Sequence, residues 1–140
     1  MSLNLNFDSL KKYKDEGLLL LRVGVGLNYL FFHGWGKLMG GHERWISLGQ
    51  VMPHFGVDEI AMVWGFLGAL IETLGALLFA VGYKFRFVAM LLGSMMLVAV
   101  YAHISDGDSW RQASHAFKMM FVFFGMMLIG SGKYAFEKSS

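Results

Sequence analysis

The sequence predicts an all-α protein, an integral membrane four-helix bundle with a short interfacial helix in its first outer loop. Three observations predict it. Four apolar stretches, at about residues 17–36, 60–82, 87–104 and 113–130, each approach or exceed the ~20 residues a helix needs to cross a ~30 Å hydrocarbon core. Hydrophobic residues make up 56% of the 140 and charged residues only 16%, more apolar surface than a soluble domain of this length can hide around one core. Finally, Arg22, His33, Glu72, His103, His115 and Lys118 fall within these stretches or at their ends. Ionisable groups are expensive in lipid, so they are expected to face a bundle interior or a cavity.

A single proline and the lack of any low-complexity run point to one domain over residues 1–140. The net charge of +2 comes from scattered cations, which argues against a nucleic-acid partner. The sequence has no cysteine, which excludes disulfides, thiol catalysis, thiolate metal sites and iron–sulfur ligation by this chain.

The first span carries Arg22, Gly26, Tyr29, His33 and Lys37 at spacings of four, three, four and four, the stripe of one helix face. Its apolar run is long and lacks a small-residue cleavage site, so it is expected to stay in place as a signal anchor. The loop that follows, 37–59, places Trp45, Leu48, Val51 and Met52 near one face of a short helix over 43–52, which Pro53 ends. Asp58 and Glu59 then suit the start of the next helix. This loop reads either as a seal on the bundle or as a substrate lid. On the second span Gly65, Gly68, Glu72 and Gly75 share a face; the glycines allow close helix approach and so place Glu72 on the packed side. Gly93, Met96, Val100 and His103 line the third span. His115, Lys118, Val122 and Gly125 line the fourth.

Charge predicts the orientation. Seven basic residues (Lys11, Lys12, Lys14, Lys84, Arg86, Lys133 and Lys138) lie on the side of the termini and the 83–86 turn, against three (Lys37, Arg44 and Arg111) on the other. With four spans this puts both termini in the cytoplasm. Trp35, Trp45, Trp64 and Trp110 all fall on the opposite side, at the level where aromatic rings sit among headgroups.

Two constellations carry chemistry. Counting depth along each span lets Arg22 reach Glu72, and an unpaired charge there costs roughly 2.5–3.5 kcal/mol, so the two are expected to pair. The pair either locks spans one and two together or forms a proton or ligand site. His33, His103 and His115 come at a similar outer level, with Lys118 one turn below His115. Imidazoles there can donate to quinone carbonyls or merely bond headgroups and loop carbonyls. No local pair such as HExxH is present, and Lys118 opposes a bound cation, so no metal is expected. The candidate ligand site is therefore His33, Glu72, His103, His115 and Lys118.

The strings Arg22-xxx-Gly26, Phe32-His33-Gly34-Trp35-Gly36-Lys37-Leu38 and Glu72-xx-Gly75-Ala76, then Gly82 with Lys84 and Arg86, His103, and Gly130-Ser131-Gly132-Lys133-Tyr134 together resemble the DoxX family. The resemblance covers nearly the whole chain. It implies a four-span bacterial inner-membrane protein, a redox- or quinone-associated subunit of a membrane complex. Quinone is then the implied ligand and a redox enzyme the implied partner, beside the lipid bilayer itself; homo-oligomers remain open. A non-catalytic scaffold and a small-solute permease are the alternative functions. The chain departs from the family pattern at Lys118, where relatives often carry an acid, and at Gly130-Ser131-Gly132, where they often read Gly-Pro-Gly.

Overall fold

Long apolar runs with few breakers become long helices, and the chain uses four of them. The computed structural model describes residues 7–57 and 59–137. After a 3-10 turn over Phe7–Tyr13 come α1 (Lys14–Tyr29), α2 (Trp35–Leu38), α3 (Gly41–Gly49), α4 (Ala61–Val81), α5 (Phe85–Ser105) and α6 (Trp110–Ile129). A π-helical segment, Leu30–Gly34, joins α1 to α2 in one continuous rod, because every residue across the junction keeps right-handed helical angles. Among the described residues there is no strand. Four helices, Ser9–Leu38, α4, α5 and α6, are long and apolar enough to cross a membrane.

The first rod runs further in both directions than the expected span. The fourth begins three residues earlier than expected, since the Gln112 side chain accepts the Ser109 N–H at 2.8 Å and caps the first turn. The helix of the first loop is present but shifted: α3 ends at Gly49, and Val51 and Met52 fall in the turn and 3-10 segment that follow. Asp58, expected to help start α4, lies outside the described residues, as does Lys138 of the basic count.

The pivot of the bundle is α4, which packs on the first rod, on α3 and on α5. Its contact with the first rod is close because glycines remove side chains from it. A Cβ on Gly26 would meet Ala80 and the Ala76 carbonyl, and one on Gly34 would meet Thr73 at 2.8 Å. These two contacts fix the antiparallel register. The core between the helices holds Tyr29, Phe79, Leu92, Met96 and Phe123. Between the first rod and α6 the contact is made by rings, with Phe123 edge-on to Tyr29 at 5.3 Å.

The two described chain ends meet at one end of the bundle, called here the terminal end; α3 lies at the other, distal end. At the terminal end the segment after α6 folds back as a clasp. The Phe136 and Glu137 N–H groups donate to the carbonyls of Val81 and Gly82, at 3.0 and 3.1 Å. Lys133 N–H donates to Asp15 and the Tyr134 hydroxyl to Glu16. Lys84, left-handed at φ 44°, closes the α4–α5 turn and is held there by Glu137, which accepts both its N–H and its ammonium. That hydrogen-bonded contact holds the Glu137 carboxyl below its ordinary range and the Lys84 ammonium above its own.

Candidate functional site

At the distal end the chain reverses over Met39–Gly40 and lays α3 across the start of α4. Glycine makes this possible on both partners: a Cβ on Gly65 would run into the Trp45 carbonyl, and one on Gly49 into that of Ala61. The Trp45 indole then donates to the Lys37 and Leu38 carbonyls, at 3.2 and 3.3 Å, satisfying acceptors that the end of α2 leaves open. Its ring lies 4.9 Å from that of Phe66. Gly65→Ala is expected to lever α3 off α4 and destabilise the fold by about 1–3 kcal/mol, the usual range for overpacking. A lowered unfolding midpoint with a red-shifted tryptophan emission is the readout, and an unchanged midpoint would contradict this docking.

Beneath α3, between α4 and α5, is a cavity of about 730 Å³. Its polar wall is made by Lys37, Arg44, Glu72 and His103, and its apolar wall includes Trp64, Met95 and Ala102. Glu72 is almost fully buried, and its carboxylate accepts the Lys37 ammonium at 2.6 Å. Lys37 is only a quarter exposed. At the mouth, His103 Nδ1 lies 2.7 Å from the Asp108 carboxylate, and His54 Nε2 lies 3.0 Å from Asp106, tying the 3-10 segment after α3 to the end of α5.

The expected Arg22–Glu72 pair is replaced by Lys37–Glu72. The register set by Gly26 and Gly34 explains this. Arg22 lies beside Gly82, within reach of its backbone. Ten residues of helix separate Gly82 from Glu72, a rise of ~15 Å. Lys37, at the far end of the same stripe, is level with the carboxylate instead. Arg22 is 2% exposed and turns to the clasp, donating to the Ser131 and Tyr134 carbonyls at 3.1 and 3.0 Å. Depth along each span by itself carries no information on the register between spans.

The histidines divide. His33 and His115 come together, their rings stacked 4.4 Å apart, with the Tyr29 ring 4.9 Å from His33 and its hydroxyl donating to Met96 Sδ. His33 is carried on the π-helical turn, half-buried, and His115 is exposed. His103 instead lines the cavity, whose wall includes neither His33 nor His115. Lys118 is exposed on α6, one turn from His115. Of the five expected ligand residues, then, Glu72 and His103 share the cavity, His33 and His115 share a stack on the α1–α6 flank, and Lys118 lies at the surface. Among the described residues no group of three or more His, Cys, Asp or Glu side chains is placed to hold a metal ion.

Two residues of the site, Lys37 and Arg44, are not among the five expected ligand residues. Lys37 was visible on the Arg22–His33 stripe, yet its place at the end of the span made it look like a loop cation. Arg44 had no signal at all, because only the fold of α3 over α4 brings it to the cavity.

A family model for DoxX matches residues 17–104, well over half of the chain. The protein belongs to the DoxX family. No curated protein and no solved structure matches the chain. The matched range contains the cavity-lining residues of this DoxX protein from Lys37 to His103, Glu72 among them, while Asp106 at the cavity's edge, His115, Lys118 and the clasp lie beyond it. Family membership and four candidate spans together make it a multi-pass integral membrane protein.

Proposed function

We propose that this single-domain DoxX protein is a redox-associated subunit of the bacterial inner membrane, that both of its termini are cytoplasmic, and that the cavity under α3 binds a quinone-like molecule. The observation that carries the reading is the cavity's two-part wall, polar at Lys37, Glu72 and His103 and apolar at Trp64, Met95 and Ala102. A quinone joins a ring with hydrogen-bond-accepting carbonyls to an apolar tail. Its ring would take donors from Lys37 and His103, and its tail the apolar side. The volume falls within the ~300–1,000 Å³ typical of small-molecule sites.

When bound, a quinone supplies reversible acceptance of two electrons and two protons. What this chain contributes is position and protons. Lys37 and Glu72 form a charged pair across the inner wall, where hydrogen bonds to an ionised donor are about twice as strong as neutral ones. His103, oriented by Asp108, stands between the cavity and its mouth and can pass a proton outward. With no cysteine in the chain, a thiol or iron–sulfur electron donor belongs to a partner subunit. The His33–His115 stack serves to close the flank between the first rod and α6. The basic asymmetry supports cytoplasmic termini.

The test is quenching of tryptophan fluorescence by a short-chain ubiquinone added to the purified protein in nanodiscs. Trp64 lines the cavity, so quenching should saturate, and Ala102→Phe, which fills the cavity, should weaken it roughly tenfold. Quenching that rises linearly and equally in both proteins would mean partitioning into lipid alone, and would leave a scaffold as the better reading.

A further inference from the structure

At the terminal end a second hollow, of about 310 Å³, opens between the first turn of α1, the first turn of α5 and the end of α6. Three cations line it, Lys14, Arg86 and Lys133, against the one carboxylate of Asp15. Its apolar floor is made by Leu18 and Ile129.

The charges there are not balanced within the hollow. Asp15 already accepts the Lys133 N–H at 3.0 Å. The Arg86 guanidinium donates to the carbonyls of Met127 and Leu128, at 2.7 and 3.0 Å, neutral acceptors that fix its place and leave its charge intact. The Lys133 ammonium is shared with Glu16 at 3.3 Å and lies over the Tyr134 ring. Among the described residues no ion pair engages Lys14. Three cations thus face one carboxylate within the hollow, and Glu16 beside it offsets one more positive charge, so a net positive charge remains.

The level of the hollow decides what fits it. α6 ends at Ile129 and α5 begins at Phe85, so the hollow lies where the apolar spans give way to headgroups. Below it Leu128 and Ile129 are 72% and 55% exposed, and Leu21 is half exposed. A ligand here meets positive charge at one end and open apolar surface at the other. Free phosphate would use only the first.

We propose that this hollow binds the phosphate headgroup of an anionic phospholipid, with its acyl chains against Leu21, Leu128 and Ile129. Basic pockets between membrane helices select such headgroups because each cation adds attraction to a surface already rich in anionic lipid. Occupation would tie α1, α5 and α6 together at the end where the clasp folds, independently of any ligand in the cavity under α3.

The experiment is native mass spectrometry of the full-length protein released from mixed micelles containing phosphatidylglycerol and phosphatidylcholine in equal amounts. The wild type should retain phosphatidylglycerol in preference by about tenfold. Lys14→Glu, which breaks no hydrogen bond in the hollow, should abolish most of that preference, and Lys14→Gln/Lys133→Gln should do the same. Lys11→Gln/Lys12→Gln removes as much charge from the same end and should leave the preference in place. Equal loss in that control would reduce the effect to a general field and overturn the site. Displacement of the lipid by millimolar inorganic phosphate would overturn it too, making the hollow a phosphate site without a lipid. Retention of the two lipids in equal measure by the wild type would end the proposal.

Discussion

Arg22→Met is expected to cause the largest loss of stability of any single change in this protein, about 3–6 kcal/mol. The guanidinium is 2% exposed and donates to two backbone carbonyls of the clasp, Ser131 and Tyr134. Hydrogen bonds to a charged group are worth about 1.5–3 kcal/mol each, and the cost is felt in full when acceptors stay buried. Methionine keeps the apolar stem but supplies no donor. The clasp then loses its buried link to the first rod, while its exposed bonds to Asp15 and Glu16 and its contacts to Val81 and Gly82 persist. Two measurements follow this: the unfolding midpoint in a graded SDS titration, and the rate of trypsin cleavage at Lys133. Both should change, the midpoint falling and cleavage quickening. A variant with wild-type midpoint and cleavage rate would show that Arg22 does not hold the clasp. Arg22→Lys should recover only part of the loss, since one ammonium replaces a planar fork that reaches two acceptors at once.

The second large effect belongs to Lys37 and Glu72, and it should be asymmetric. Lys37→Met leaves a carboxylate that is 4% exposed without its cation, a situation that costs about 3–5 kcal/mol. Glu72→Gln leaves Lys37, a quarter exposed at the distal end, free to extend its ammonium towards water, so the loss should be smaller. The double variant should be more stable than Lys37→Met alone, because the buried charge is gone. A double-mutant cycle on unfolding free energies isolates the coupling. Independence of the two changes would mean that the pair contributes nothing as a pair. The same cycle, repeated with a short-chain ubiquinone present, separates a structural pair from one that also meets ligand. Coupling that weakens on ligand addition is expected if the ligand carbonyl competes for the Lys37 ammonium.

Much of the architecture was legible in the sequence because lipid imposes a simple rule. A spanning segment must satisfy its own backbone, so an apolar run of about twenty residues becomes a helix almost irrespective of its neighbours. Four such runs are four helices here. The boundaries shifted for local reasons: the Ser109–Gln112 cap starts α6 early, and unbroken right-handed angles carry the first rod through His33 to Leu38. The short helix of the first loop was legible as an amphipathic segment. Its docking was not, because nothing in periodicity marks Gly65 as the place where α4 meets the Trp45 carbonyl, or Gly49 as the place where α3 meets that of Ala61.

The need of Glu72 for a partner is legible in the sequence, and the identity of that partner is not. The cost of burying charge correctly marked Glu72 as a residue in need of a cation. Which cation depends on how far two helices slide past one another, a quantity set by Gly26 against Ala80 and Gly34 against Thr73. Arg22 and Lys37 lie about four turns apart on the first rod, and the slide decides which of them is level with the carboxylate. The same slide frees Arg22 for the clasp, a segment that carries no long apolar run and so gave no structural signal.

The sequence by itself determined the class of protein, the number of helices, which residues are too polar for lipid, and the family. The first three follow from composition or spacing along one chain, and the family from the resemblance of its motifs. Tertiary structure alone decided that Glu72 meets Lys37, that His33 and His115 stack while His103 turns to the cavity, and that Arg44 joins it. Those are distances between segments far apart in the chain. They are set by the register and rotation of close-packed helices, where a single glycine contact moves every side chain on the face.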